Sequence, residues 1–279
     1  INQPATAVVV SSLVVNSNVS SNGLSNGVVT AIGAGGVPRT VGGYTYTWSG
    51  TTQTTAVITG LAAGVYCITV TDSLLCRASA CVTVTQPTPV TATIASTTNV
   101  SCFGASTGTA TAAGSGGTEA GAYGFVWSVG GQTTATATGL VANVSHCVTI
   151  TDDNGCTATV CTTLTQPATA VTTSAAVASN FNGSNVSCFG AADGCVRAIP
   201  AGGTVAYSFQ WSPVASTNDT LCNVGAGTYI VTVTDALGCT ATASATIVNP
   251  PAGALTATIT SQSNVLCTCL LYTSDAADE

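Results

Sequence analysis

Short stretches of period-two alternation run through this chain. Tyr44, Tyr46 and Trp48 fall on one face of a five-residue stretch, with Thr45 and Thr47 on the other. This is the pattern of a half-buried β-strand. It returns as Tyr123, Phe125 and Trp127, and again as Tyr207, Phe209 and Trp211. Tyr66, Ile68 and Val70 alternate with Cys67, Thr69 and Thr71; after a short turn Ala78, Ala80, Val82 and Val84 alternate in the same way. These two stretches predict a hairpin with an apolar inner face and a Thr-rich outer face. Its counterpart in the middle of the chain turns at Asn154-Gly155, a dipeptide suited to tight hairpins. Nine of the fifteen aromatic residues lie on the three Trp-containing strands, so Trp48, Trp127 and Trp211, together with Tyr66 and Tyr229, are assigned to the core. A repeat this small has few other large side chains to bury. The alternative for an aromatic stripe is a sugar-binding platform.

The alternation itself recurs at a longer period, which predicts a repeat array. Pro4, Pro87, Pro167 and Pro250 close similar tripeptides at spacings of 83, 80 and 83 residues. The three Trp residues keep phase with them, as do the Thr-Asp pairs ending at Asp72, Asp152 and Asp235. The organisation read from this is the end of a preceding repeat at 1–4, repeats at 5–87, 88–167 and 168–250, and the start of a truncated repeat at 251–268. The Gly-Leu-Ala-Ala-Gly-Val-Tyr segment ending at Tyr66 is similar to the tyrosine corner of immunoglobulin-like sandwiches, and a Trp on a middle strand fits the same fold. The predicted fold is all-β, a tandem array of immunoglobulin-like β-sandwich repeats of about 80 residues with about seven strands each. Strands of about eight residues make each unit roughly 30–40 Å long.

Composition narrows the partners. Charged residues make up 5% of the chain and the only cations besides His146 are Arg39, Arg77 and Arg197, against a net charge of -7. Phosphate backbones are bound through Lys and Arg, so nucleic acid is excluded as a partner. No apolar run reaches the length of a membrane span, so no membrane insertion is expected. Thirteen cysteines beside one histidine favour disulfides over metal or redox chemistry and place the chain in an oxidising, extracellular setting.

Comparison of the repeats suggests how the cysteines pair. Cys67 and Cys81 correspond to Cys147 and Cys161, and both positions change together to Ile230 and Ser244 in the third repeat. Each pair would close a loop of about 15 residues, worth roughly 3 kcal/mol in the loop-entropy picture. Cys195 and Cys222 appear together only in the third repeat. A framework pair within each repeat would join Cys102 to Cys156 and Cys188 to Cys239; Ser21 takes the early position in the first repeat and leaves Cys76 alone. Sequence leaves this framework connectivity open.

Residues with catalytic potential are few. His146 stands where Tyr66 and Tyr229 stand in the other repeats, which makes it a packing substitute for Tyr. No Ser–His–Asp or Cys–His set recurs, and no zinc spacing is present. Asp72, Asp152, Asp153 and Asp235 read as turn residues that hydrogen-bond their own backbone. Calcium is the alternative, but it takes six or more oxygen ligands, and one or two carboxylates per turn supply too few unless a neighbouring loop contributes. No cofactor is expected. Asn-X-Ser/Thr triplets at Asn18, Asn99, Asn143, Asn182, Asn185 and Asn218 are attributed to composition.

The ordered set Asn99-Val-Ser-Cys-Phe-Gly104, the double glycine Gly116-Gly117, an aromatic-X-Trp-Ser strand, and Asp-X-X-Gly-Cys156 before a closing Gln166-Pro167 resembles the SprB repeat family of very long cell-surface proteins in gliding and other Bacteroidetes. The resemblance covers nearly all of residues 1–268. This chain departs from it at Ser21, at Leu75 in place of the turn glycine, and in the added Cys67–Cys81 type of pair. The resemblance implies a non-catalytic region of a secreted cell-surface adhesin that meets extracellular surfaces or polysaccharides and neighbouring repeats, with a link to gliding motility. Two other readings stand beside it: spacer modules of a secreted multidomain enzyme, and carbohydrate-binding modules that use exposed aromatics. The last stretch, Cys269–Glu279, breaks the pattern with three carboxylates in five residues. Back-translated, it is similar to a transposase adapter of short-read sequencing, and it is expected to be foreign to the protein; without it the net charge falls to -4.

Overall fold

The computed structural model describes residues 6–41, 43–118 and 121–251. The segments expected to be the end of a preceding repeat (1–4), most of the start of a further one (252–268) and a foreign tail (269–279) lie outside the described residues.

Strands form where the alternation runs. In the first repeat they are β1 (Val9–Ser17), β2 (Gly27–Ala34), β3 (Thr45–Trp48), β4 (Val57–Leu61), β5 (Gly64–Thr71) and β6 (Arg77–Val84). They pair antiparallel into two three-stranded sheets, ordered β1-β2-β4 and β3-β5-β6. The second repeat repeats the scheme with β7 (Thr91–Thr98), β8 (Gly108–Ser115), β9 (Gly124–Trp127), β10 (Thr136–Leu140), β11 (Ser145–Thr151) and β12 (Thr157–Thr163), ordered β7-β8-β10 and β9-β11-β12. The third has β13 (Thr172–Val177), β14 (Gly194–Ala201), β15 (Ser208–Ser212), β16 (Thr220–Val224), β17 (Gly227–Thr234) and β18 (Thr240–Ile247), ordered β13-β14-β16 and β15-β17-β18. The protein is thus an all-β tandem array of immunoglobulin-like sandwiches, without a helix among the described residues.

Among the described residues each sandwich has six strands rather than the expected seven. The connection between β3 and β4 is spent on turns that close over the tryptophan. Trp48 Nε1 donates to Thr55 O at 2.9 Å, Trp127 Nε1 to Thr134 O at 3.0 Å, and Trp211 Nε1 to Asn218 O at 2.9 Å. A stretch committed to capping the indole cannot also pair as a strand.

By compactness the chain forms two units. Of the described residues, one holds those within 1–172 with 200–208 and 233–241; the other holds 173–199, 209–232 and 242–251. In the first unit, Trp48, Ile58, Ile68 and Val70 are buried between the sheets of the first repeat, and Trp127, Leu140, Val148 and Ile150 between those of the second. In the second unit, Val196, Trp211, Leu221 and Val231 are buried. The tyrosine corner is present: Tyr66 Oη donates to Ala62 O at 3.0 Å and Tyr229 Oη to Gly225 O at 2.9 Å. In the second repeat the fully buried His146 takes this place, with Nε2 2.8 Å from Val141 O. A carbonyl only accepts, so Nε2 carries the proton; Nδ1 is buried and has no hydrogen-bond partner among the described residues.

Truncating Trp127 removes the largest side chain of its core and the indole hydrogen bond together. Trp127→Ala is expected to cost about 3–5 kcal/mol in urea unfolding of the second repeat, against about 1 kcal/mol for Tyr66→Phe, which loses only a hydroxyl hydrogen bond in the first.

Candidate functional site

Among the described residues no three His, Cys, Asp or Glu side chains converge, and the only histidine is sealed in the core. The polar chemistry of each repeat gathers instead at its two ends.

One end is organised by a single carboxylate. Asp152 is 6% exposed. Its Oδ1 accepts from the Asn154 and Cys156 N–H groups at 3.0 and 2.7 Å, and its Oδ2 from Thr118 N–H at 2.9 Å. Asp72 makes the same set with Leu74, Cys76 and Val37, and Asp235 with Leu237, Cys239 and Thr204. Each carboxylate thus ties the hairpin turn to the double-glycine loop on the other sheet. The second glycine is required by closeness. Gly117 has φ +69°, and a Cβ there would lie 2.5 Å from Asp152 Oδ2; Gly36 and Gly203 repeat this with Asp72 and Asp235 at 2.6 Å each. The Thr118 N–H, helped by Cys156 and Asn154 and opposed by desolvation, holds the Asp152 carboxyl below its ordinary range. Val37 leads the same lowering at Asp72, and Thr204 at Asp235. A carboxylate whose oxygens are taken by N–H donors is surrounded by positive dipoles. That setting opposes the calcium alternative, which needs further oxygens around the ion.

The other end joins two motifs that the sequence presents far apart. Asn99 Oδ1 accepts from Thr165 N–H at 3.0 Å, Val100 N–H donates to Thr165 O at 2.9 Å, and Gly104 N–H donates to Gln166 Oε1 at 2.8 Å. The first repeat does this with Asn18, Val19, Gly23, Thr85 and Gln86. In the third, Asn185 accepts from Val248 and Asn249 receives Gly190. The side chains of Asn18, Asn99 and Asn185 are therefore structural clasps. Sequence reasoning missed this pairing, although the fixed phase between Asn-Val-Ser and Gln-Pro was its visible signal.

Within the first unit the two kinds of end meet. Ser20 O, in the early loop of the first repeat, accepts from Asn154 Nδ2 at 2.7 Å and from Thr118 Oγ1 at 3.3 Å, both beside the Asp152 turn of the second repeat.

The structure brings Cys67 to Cys81 and Cys147 to Cys161, directly opposite on adjacent strands, and Cys195 to Cys222 on β14 and β16. The framework pairing needs correction. Cys102 bonds Cys239 across 137 residues, while among the described residues Cys156 and the exposed Cys188 are free thiols, as is the exposed Cys76. The reason is position. Cys102 belongs to the Asn99 clasp and Cys156 to the Asp152 turn, at opposite ends of one sandwich. The seven residues of β11 alone span about 23 Å, whereas a disulfide joins Cα atoms within about 7 Å. The predicted core aromatics Trp48, Trp127, Trp211, Tyr66 and Tyr229 are all buried. The tryptophans therefore offer no ring face to a sugar.

The SprB repeat family matches residues 94–132 and 180–216. No curated protein matches the chain. Among solved structures it is similar to a 1.5-MDa bacterial ice-binding adhesin described for host cell surface retention, at 18% identity over 88% of this chain and 98% of that one, with a TM-score of 0.41. It is similar to a Ca2+-stabilized adhesin that helps an Antarctic bacterium reach out and bind ice, at 18% identity over 88% and 74%, with a TM-score of 0.34. It is also similar to extracellular cadherin domains 1–4 of protocadherin gamma B7, at 8% identity over 88% and 76%, with a TM-score of 0.35.

A carboxyl with a lowered pKa stabilises the fold fully above its unfolded value, near 3.9, and loses that contribution as pH falls through the folded value. Asp152→Asn, which turns an amide N–H toward a backbone N–H, is expected to lower the urea midpoint at pH 7. The gap to wild type should close as the pH is taken below about 4.

Proposed function

Because residues 94–132 and 180–216 carry the SprB repeat, we propose that this chain is a non-catalytic repeat region of a large secreted cell-surface adhesin. Its repeats act as load-bearing segments of a stalk that holds an attachment surface away from the cell, toward extracellular surfaces or polysaccharides. A role in gliding motility belongs to the same reading. The observation that carries the proposal is the meeting of successive repeats in the first unit, where Ser20 O of one repeat takes two donors from the loops of the next. Modules that fasten end to end resist bending at their junction, as a stalk requires, whereas loosely tethered ones swing freely. The cystines across adjacent strands support the same role. The main rival is a set of spacers in a secreted enzyme; burial of the tryptophans speaks against a carbohydrate-binding module that uses them.

Stretching the full chain in single-molecule force spectroscopy is expected to give discrete unfolding peaks. The 14-residue separation of Cys67 and Cys81 hides chain length, so reduction should lengthen the first repeat's increment by about 5 nm. Extension at low force without peaks contradicts a stalk. Beads coated with the chain are expected to be retained on polysaccharide-coated or bare solid surfaces; retention no better than that of uncoated beads favours the spacer reading.

A further inference from the structure

We propose that successive repeats are stapled in a staggered manner: the cysteine of each Cys-Phe-Gly loop bonds the turn cysteine of the following repeat. The junction at Ser21 has the same geometry but is held by hydrogen bonds. Cys76 and Cys188 are the two halves of this staple, presented to further copies of the repeat. This goes beyond the adhesive reading and does not depend on it.

Three equivalent clefts carry the argument. The cleft at the Cys102–Cys239 bond is lined by Cys102 and Phe103 of the second repeat and by Ala170, Val171, Gly238 and Cys239 of the third. The cleft before it is lined by Asn22 of the first repeat and by Thr88, Val90, Gly117 and Cys156 around the second repeat's turn. Here Ser21 and Asn22 hold the places of Cys102 and Phe103. The third cleft, about 350 Å³, lies beside Cys76 and is lined by Thr6, Val8, Gly36, Asp72 and Arg77, all of the first repeat among the described residues. Val8, Val90 and Val171 hold one corresponding place in the three clefts, and the turn cysteines Cys76, Cys156 and Cys239 hold another.

What differs is how the loop is fastened. At the cystine junction, Ser101 O lies 3.5 Å from Cys239 Sγ. At the serine junction, Ser20 O, the counterpart of Ser101 O, is held by Asn154 Nδ2 at 2.7 Å, and Ser21 is 4% exposed. The position of Asn154 is Leu237 at the cystine junction, which has no side-chain donor. The polar clamp therefore occurs where the covalent one cannot form. At the Cys188 loop, Phe189 is 67% exposed against 49% for Phe103, as expected of a loop that awaits a partner. By this correspondence the place beside Cys76 is the one a Cys-Phe-Gly loop takes at Cys239, and exposed Cys188 is the counterpart of Cys102.

Closing each staple removes two protons and two electrons from two thiols. A small disulfide such as oxidised glutathione accepts them and leaves as two thiols, the exchange expected outside the cell.

The test is peptide mapping without reduction on the full chain, after blocking free thiols with iodoacetamide. In the wild type, Cys102 should be found linked to Cys239 and Cys156 should be labelled. In Ser21→Cys oxidised with glutathione disulfide, a new link from position 21 to Cys156 should appear and Cys156 labelling should be lost, both reversed by dithiothreitol. Ser21→Ala should leave Cys156 labelled. A Ser21→Cys chain that keeps its wild-type circular dichroism while both thiols remain labelled overturns the proposal. So does a wild-type map that links Cys102 to Cys156 or Cys188 to Cys239, a result that stands even if the variant fails to fold.

Discussion

Each repeat depends on one buried carboxylate that satisfies three backbone N–H groups. Asp72, Asp152 and Asp235 are almost fully buried, and each binds the turn of one sheet and a loop of the other. Burying an unpaired charge is costly, so the residue persists only where donors meet it from both sides. That requirement explains why a double glycine recurs in step with the Asp. Without a Cβ the loop backbone reaches the carboxylate; with one it could not. The turn in turn fixes where the following cysteine points, and so what it can reach.

Small sandwiches have little core to spend. Domains of this size bury only about 60–65% of their chain surface, and these cores rest on one Trp, a few Ile, Leu and Val, and several Ala. A cystine across neighbouring strands compensates by restricting the unfolded chain. The third repeat shows that its location is negotiable. Ile230 and Ser244 replace the β5–β6 type of pair, and Cys195–Cys222 restores a bridge on the opposite sheet, between β14 and β16.

Much of the fold was legible because it is local. Period-two alternation located Tyr44–Trp48, the β5–β6 hairpin and its equivalents, and the change of Cys67 and Cys81 together marked a cross-strand pair. The strand count was overestimated because the indole caps after Trp48, Trp127 and Trp211 lie in segments whose composition resembles that of a strand. The framework cysteines were misassigned for a different reason. Repetition reveals which positions correspond, but a bond from one repeat to the next has the same period as a bond within a repeat. Only the sandwich length, which places Cys102 and Cys156 at opposite ends, separates the two. The clasp of Asn99 and Gln166 was hidden because its halves lie more than sixty residues apart.

The clasp also settles what kind of substrate the junctions make for a protease. Thr85, Gln86 and Pro87 look in sequence like a linker, yet each is held: Thr85 N–H by Asn18, Thr85 O by Val19, Gln86 Oε1 by Gly23 and Pro87 O by Asn22. Proteolytic nicking concentrates where backbone is exposed and free, and this segment offers little that is free. With Arg39, Arg77 and Arg197 as the only basic residues apart from His146, enzymes that cut after Lys or Arg also find few sites anywhere. Resistance to digestion then follows from the hydrogen bonding of the repeat ends and from composition, with no shielding partner required.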